Sequence, residues 1–186
     1  MSSRKSRWPE LCILLGVFVL AASLVVPGLF IKTRIPFESG AAAKLKVIAS
    51  AQRDFRDNDR DGSGATRYWR KDIAGLHAIK GKDGKPIDLI PKSFALADDR
   101  PQPENQLAPT PPHCDYYRFR ALRFGDEKTP DPNRWAACAV PGREGDCRYV
   151  FIISHDNIVF RKFADQVRNL ELYPADPPKE GWTRMD

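Results

Sequence analysis

Apolar residues are concentrated near the start of this chain of 186 residues. Residues 11–31 carry no charged side chain and form a run long enough to cross a bilayer as one helix. We therefore predict a transmembrane helix at 11–31 and a cytoplasmic leader at 1–10, since Arg4, Lys5 and Arg7 precede the run. A cleaved secretory signal peptide is the alternative. The absence of a good small-residue cleavage site favours a retained helix.

The pattern changes at residues 32–56, where apolar positions recur at steps of three and four. This period predicts an amphipathic helix with one buried stripe that continues the membrane segment. The stripe comprises Ala41, Leu45, Ile48, Gln52 and Phe55. Proline removes a backbone donor and crowds the preceding helical turn, so Pro27 and Pro36 should kink or briefly interrupt the rod.

Short helical segments begin the exported globular domain that we predict at 57–186. The stretch "KDIAGLHAI" predicts a short helix opened by Asp72, and "IDLIPKSFALADD" predicts helical turns around Pro91. The proline-rich stretch "RPQPENQLAPTPP" predicts an extended connector on the surface.

From Tyr116 onward the hydrophobic period is two. The alternating segments are "YYRFRALRF", "RWAACAV", "RYVFIIS" and "NIVFRKF". Turn sequences separate them, which predicts an antiparallel meander of three or four strands. The polar tail should be anchored by Trp182. The predicted fold class is therefore α+β, with a long, kinked N-terminal transmembrane helix packed on that meander.

Three cysteines lie in the exported part, where oxidation is permitted. Pairing of the first two strands around "GDEKTPDPN" would place Cys114 at the same end of the sheet as Cys147, with Cys138 in mid-strand. We therefore predict a disulfide between Cys114 and Cys147.

An aspartate-rich loop follows the amphipathic helix. Asp57, Asp59 and Asp61 alternate ahead of a glycine, as at the start of an EF-hand calcium loop, and Ser63 occupies the next ligand position. The later ligand positions hold an alanine and a tyrosine, and arginines crowd the stretch. Calcium held by Asp57, Asp59, Asp61 and Ser63 is one interpretation. A turn that ends a helix is the other, because Asp, Asn and Gly tolerate left-handed backbone.

The formal net charge is +6, but acids and bases alternate along most of the chain. Without a basic block, nucleic acid is not an expected partner. The three histidines, His77, His113 and His155, accompany no nucleophile motif, and His155 fits a hairpin turn. We therefore do not expect an enzyme.

Glu10 opens the apolar run and Pro27 lies seventeen residues later. In this respect the chain resembles type IV pilins and the pseudopilins of type II secretion. The segments "LKVIASAQRDFRDNDRDGSG", "YWRKDIAGL", "IDLIPKSFALAD" and "YYRFRAL" resemble a bacterial set of pilin-like proteins of unknown function. Lys5 and Ser6 stand where prepilins carry the glycine and phenylalanine of the cleavage site, which leaves cleavage open.

The resemblance implies a structural or assembly component that passes once through the bacterial inner membrane, with its exported domain in the periplasm or outside the cell. Membrane lipid and like subunits would be its partners, through an N-terminal helix that includes Glu10, Gly16 and Pro27. The alternative function is a membrane-anchored extracytoplasmic binding module whose aspartate-rich loop holds calcium.

Overall fold

Helix α1 spans residues 38–57 in the computed structural model, which describes residues 38–107, 116–125, 131–143, 145 and 147–185. The predicted stripe is confirmed, because each of its five residues is at most 2% exposed. The helix ends where the backbone turns left-handed, at Asp59 (φ 43°) and Gly62 (φ 68°). The turn interpretation of the aspartate-rich loop therefore describes its backbone.

Two short helices follow, as predicted. Helix α2 spans Gly75–Ala78, and Asp72 lies just before it and accepts the Gly75 N–H at 3.0 Å. Helix α3 spans Lys92–Leu96 and begins directly after Pro91, whose fixed φ suits the entry to a helix.

A sheet forms the other half of the fold. Its strands are β1 (Tyr117–Phe124), β2 (Ala136–Pro141), β3 (Tyr149–Ser154), β4 (Val159–Phe163), β5 (Leu172–Tyr173) and β6 (Thr183–Met185). They lie in the order β5-β1-β2-β3-β4-β6. Strands β1 to β4 form an antiparallel meander, β6 pairs antiparallel with β4, and β5 pairs parallel with β1.

Alternate side chains along the strands enter two separate cores. One face of the sheet, named here the helix face, packs against α1. Its side chains include Tyr117, Phe119, Ala137, Ala139, Phe151 and Ile153. The second face carries Leu122, Phe124, Ala136, Cys138, Val150, Ile152 and Phe160. A period of two produces this division, since successive side chains of a strand point to opposite sides.

Residues 164–182, named here the return segment, connect β4 with β6. On the way the segment forms β5, which lies at the opposite edge of the sheet, so it crosses the second face and comes back. Val167, Leu170, Tyr173 and Trp182 of this segment pack into the second core. Trp182 is only 6% exposed, in agreement with its predicted role as an anchor.

The predicted fold class is wrong about the membrane helix. Within the residues that the structure describes, no helix is both long and apolar enough to span a bilayer. Helix α1 is amphipathic and packs on the sheet with its apolar stripe. Residues 11–31, with Glu10, Gly16 and Pro27, lie outside the described residues. The structure therefore does not support the predicted single-pass localisation in the inner membrane. It does not support the membrane and pilin assignments either.

The predicted antiparallel meander of three or four strands is also wrong, because the observed sheet is mixed and has six strands. Two- and three-residue strands such as β5 and β6 are too short to show a hydrophobic period.

The predicted disulfide is wrong as well, since no cysteine pair is seen among the described residues. Cys114 lies outside those residues. The Cys147 thiol is directed at the carbonyl oxygen of Tyr116, 3.6 Å away. Cys138 lies in the middle of β2, opposite Arg120 and Ile152, as the pairing of the strands predicted.

Candidate functional site

A groove lies between the second face of the sheet and the return segment, and we name it the return groove. Its volume is about 680 Å³. The sheet supplies Phe124, Ser154, Ile158 and Phe160, and the return segment supplies Val167, Leu170, Tyr173 and Trp182. Charged residues line its rim, namely Arg134, Asp156, Lys162, Arg168 and Glu180. Both walls come from elements that are packed into the second core, so the groove is built on fixed parts of the fold.

Aromatic rings dominate the lining. The rings of Phe124 and Tyr173 have centroids 5.3 Å apart and are inclined by 52°. The Arg134 guanidinium lies 3.9 Å from the centroid of Phe124, and the Lys162 ammonium lies 5.9 Å from the ring of Trp182. A cation over an aromatic face is attracted by the ring quadrupole. The groove thus combines an apolar interior with positive charge held against its rings.

The two acidic side chains on the rim accept hydrogen bonds from nearby residues of their own loops. The Glu180 carboxylate accepts the backbone N–H of Ala175 at 3.0 Å. Asp156 accepts the Ser154 hydroxyl at 3.4 Å and lies 3.5 Å from Nε2 of His155. By contrast, Lys162 donates to a neutral acceptor, the carbonyl oxygen of Glu180, at 2.8 Å. Three cationic side chains against two carboxylates leave the rim with a net positive charge.

Ser154, His155 and Asp156 are consecutive and border the groove, but they do not form a nucleophile relay. The Ser154 hydroxyl donates to Asp156 and not to the imidazole. Nδ1 of His155 is buried and has no hydrogen-bond partner within the described part of the chain. A relay of this type needs the histidine between the hydroxyl and the carboxylate. His155 instead lies in the turn between β3 and β4, as predicted, two residues before Asn157 with φ 59°.

His77 has a structural environment away from the groove. Its Nδ1 lies 2.8 Å from a carboxylate oxygen of Asp88 and 3.2 Å from the carbonyl oxygen of Ile90. These contacts connect α2 to the segment that leads into α3. His113 lies outside the described residues.

The aspartate-rich loop directs its carboxylates to basic side chains. Asp57 pairs with Arg56 at 2.7 Å, Asp61 with Arg67 at 2.6 Å, and Asp59 with Lys82 at 3.4 Å. Asp59 and Asp61 also accept backbone N–H groups, from Gly64 at 3.0 Å and from Ser63 at 3.2 Å. Each carboxylate therefore already has a cationic neighbour.

A calcium site needs several oxygens that converge on one point. In the ranges that the structure describes, no group of three or more His, Cys, Asp or Glu side chains could hold a metal ion. Burial tends to raise the pKa of Asp61, but hydrogen bonds from Arg67 and Ser63 outweigh it and lower that pKa. Calcium binding by Asp57, Asp59, Asp61 and Ser63 stays a prediction, and the ion pairs favour the structural interpretation of this loop.

A buried polar cluster joins three segments on the helix side of the molecule. Asp72 is fully buried and accepts N–H groups of Trp69 (Nε1, 2.8 Å) and Gln102 (backbone, 2.8 Å). Asp98 is 5% exposed and accepts the backbone N–H groups of Ile73 and Ala74 at 2.7 and 2.8 Å. Every partner is a donor of this protein, so the cluster fastens the fold. Sequence reasoning identified Asp72 as a helix cap or a late carboxylate of the aspartate-rich loop and gave no signal for Asp98.

Of the three arginines of β1, Arg120 is partly buried, whereas Arg118 and Arg123 are exposed. The side chain of Arg120 is only 14% exposed; it pairs with Asp99 and donates to the carbonyl oxygen of Leu170 at 3.1 Å. This contact ties the return segment to the sheet. Beside it, burial raises the pKa of the Cys138 thiol to about 12, which keeps that thiol neutral.

Comparisons with known protein families, with curated proteins and with solved structures found no match for this chain. The resemblance to pilins thus stays an untested prediction from short motifs.

Proposed function

We propose that this chain is a binding domain that holds a small, largely apolar organic molecule in the return groove without transforming it. The observation that carries the proposal is a groove of about 680 Å³ lined by the rings of Phe124, Phe160, Tyr173 and Trp182. Ligand sites of globular proteins are typically concave, of about 300 to 1,000 Å³, and mostly apolar with a few polar groups. The return groove has that size and that composition.

The arrangement of polar groups supports binding more than catalysis. Ser154 lines the groove but is only 1% exposed, and its hydroxyl already donates to Asp156. Burial raises the pKa of the Tyr173 phenol, which disfavours its ionisation and its use as a base. Neither group is activated as a nucleophile or a general base.

A neutral fluorescent probe tests the proposal. Phenylnaphthylamine is uncharged, fits a groove of this volume and emits strongly only in apolar surroundings. We expect saturable binding to the full chain. Ala175 is exposed and lines the groove, so Ala175→Trp should place an indole at its mouth and weaken probe binding by about tenfold.

Ala43 provides the matched control, because it is an equally exposed alanine on the outer side of α1. Ala43→Trp adds the same indole away from the groove and should leave the affinity for phenylnaphthylamine unchanged. The proposal is overturned if the unaltered chain shows no saturable binding, or if the two tryptophan variants bind the probe equally.

A further inference from the structure

We infer that the ligand of the return groove is an aromatic organic anion, whose acidic group is held by Lys162 and Arg168 above the rings. This inference rests on the proposed function and specifies the chemistry of the same site. It follows from the position of the two cations, from the donors they have to spare and from the state of the acids beside them.

Lys162 is held in place with donors to spare. Its ammonium lies 5.9 Å from the ring of Trp182 and donates to the carbonyl oxygen of Glu180 at 2.8 Å. A lysine ammonium carries three N–H donors and has no acceptor. The contact with Glu180 uses one donor, which leaves two for an oxyanion. The ring below fixes the charge next to the surface on which an aromatic ligand would stack.

The chain at Gly181 brings the ammonium close to the return segment. A Cβ at Gly181 would lie 3.8 Å from Nζ of Lys162, so the lysine side chain rests against this part of the backbone. The cation therefore needs little further ordering when an anion arrives, and such preorganisation reduces the entropic cost of binding.

Arg168 supplies a second cation from the return segment itself. It lines the groove, its side chain is exposed, and it takes part in no ion pair within the ranges that the structure describes. A guanidinium presents a planar fork of donors that matches carboxylate, sulfonate and phosphate groups. Lys162 on β4 and Arg168 on the facing wall thus offer charge from both sides of the groove.

The acids of the rim offset only part of this charge, since three cationic side chains line the groove against two carboxylates. Glu180 is taken by the backbone N–H of Ala175, and Asp156 by Ser154 and His155. A cationic ligand would have to displace these internal contacts, whereas an anion meets donors that are still available. Because the interior is aromatic and the available rim charge is positive, an aromatic body with one acidic group is the ligand class that fits both.

Two probes with the same ring skeleton separate charge from shape. Anilinonaphthalene sulfonate carries a sulfonate that phenylnaphthylamine lacks. With the full chain at low ionic strength, we expect the sulfonate to bind at least about tenfold more tightly than the neutral probe, as charge-assisted hydrogen bonds imply. The preference should decrease as salt is added.

Lys162→Gln and Arg168→Gln should each weaken sulfonate binding by about five- to tenfold and weaken phenylnaphthylamine binding much less, so that the preference for the sulfonate falls. Lys162→Arg keeps the charge and should retain most of the preference. Lys80→Gln is the matched control, since Lys80 is exposed, lies outside the groove and gives the same change in net charge. It should change neither affinity. Circular dichroism confirms that each variant is folded.

The outcomes separate the two proposals. If phenylnaphthylamine binds and Ala175→Trp blocks it, but the sulfonate binds no more tightly, only the assignment of an anionic ligand is lost. The same holds if Lys80→Gln weakens sulfonate binding as much as Lys162→Gln does, because the effect is then one of overall charge. If neither probe binds saturably, the proposed function itself fails.

Discussion

The side-chain amide of Asn105 donates to both carboxylate oxygens of Asp72, at 3.2 and 2.9 Å, across 33 residues of sequence. Both residues are buried, at 3% and 0% exposure. The contact fastens the proline-rich connector to the start of α2. It also supplies hydrogen bonds to both oxygens of a buried carboxyl group, which would be costly to bury without donors.

Removal of this amide should destabilise the fold. Asn105→Ala leaves the Asp72 carboxylate short of donors in a buried place, and we expect the free energy of unfolding to fall by about 2 kcal/mol. Urea denaturation measures the change. The neighbouring Gln106 is exposed, so Gln106→Ala should have little effect. Equal losses in the two variants would show that the Asp72 contact is not the reason.

Asp98 leads to a prediction about pH. Burial raises its pKa above the usual 3.8, against the backbone N–H groups of Ala74, Arg100 and Ile73, and the charge of Asp72 raises it further. The Asp98 carboxyl group therefore holds its proton more tightly in the folded state than in the unfolded state. The stability that the raised pKa contributes is fully present below pH 3.8 and is lost as the pH rises through the folded pKa.

Asp98→Asn cannot ionise, so it removes this dependence. We expect the stability difference between the unaltered chain and Asp98→Asn to shrink as the pH is raised from 3.8 toward neutrality. Thermal unfolding across that range measures it, with the exposed Asp165→Asn as the control. A difference that grows with pH would mean that the three backbone N–H groups outweigh burial.

Gly75 and Gly40 form a matched pair of helical glycines with opposite surroundings. A Cβ at Gly75 would overlap the indole of Trp69, whereas a Cβ at Gly40 meets nothing within 4 Å. Gly75→Ala should therefore lower the free energy of unfolding by about 2 kcal/mol through overpacking. Gly40→Ala should raise it by about 0.5 kcal/mol through helix propensity. A neutral Gly75→Ala would contradict the close packing of Trp69 on α2.

Gln52 pairs with the backbone of Trp69 from within the buried stripe of α1. Its amide donates to the carbonyl oxygen of Trp69 at 2.6 Å, and its oxygen accepts the N–H of Trp69 at 3.0 Å. Gln52→Leu would leave both partly buried backbone groups unpaired, so we expect a loss of about 3 kcal/mol in urea denaturation. Ser50→Ala, at an exposed position of the same helix, should cost much less. If Gln52→Leu is neutral, these two hydrogen bonds contribute nothing net.

The aspartate-rich loop allows a direct test of calcium. Asp59 has a left-handed backbone, and its carboxylate accepts the backbone N–H of Gly64. Asp59→Ala should cost about 1 kcal/mol, and Asp59→Asn less, because asparagine tolerates this backbone and keeps one acceptor. Because the carboxylates are paired with basic residues, we expect millimolar calcium to leave the melting temperature unchanged. A calcium-dependent rise that Asp59→Asn abolishes would support the calcium site instead.

Local periodicity was sufficient for the main elements. The stripe from Ala41 to Phe55 and the alternation along β1 to β4 were read from spacing alone. Each reflects a fixed geometry of the backbone, 3.6 residues per helical turn and two per strand repeat. The presence of Gln52 in the stripe was predicted in the same way, but its partner was not. That partner is a backbone group seventeen residues away, and nothing in the spacing identifies it.

The return groove could not be found from the sequence. Its far wall depends on β5 and β6, which are held by pairing with the ends of β1 and β4. Such pairing is non-local, and two or three residues have no period of their own. The charge of Arg120 was visible in the sequence, whereas its burial against Asp99 and Leu170 was not.

The amino-acid order specified which side of α1 and of the first four strands faces a core, because that choice is made residue by residue through burial of apolar surface. The folded chain added the fifth and sixth strands, the crossing of the return segment, the donors that satisfy the oxygens of Asp72 and Asp98, and the rim of cations over aromatic rings. These features depend on groups that are distant in sequence. Their free energy arises only after the chain has brought the groups together.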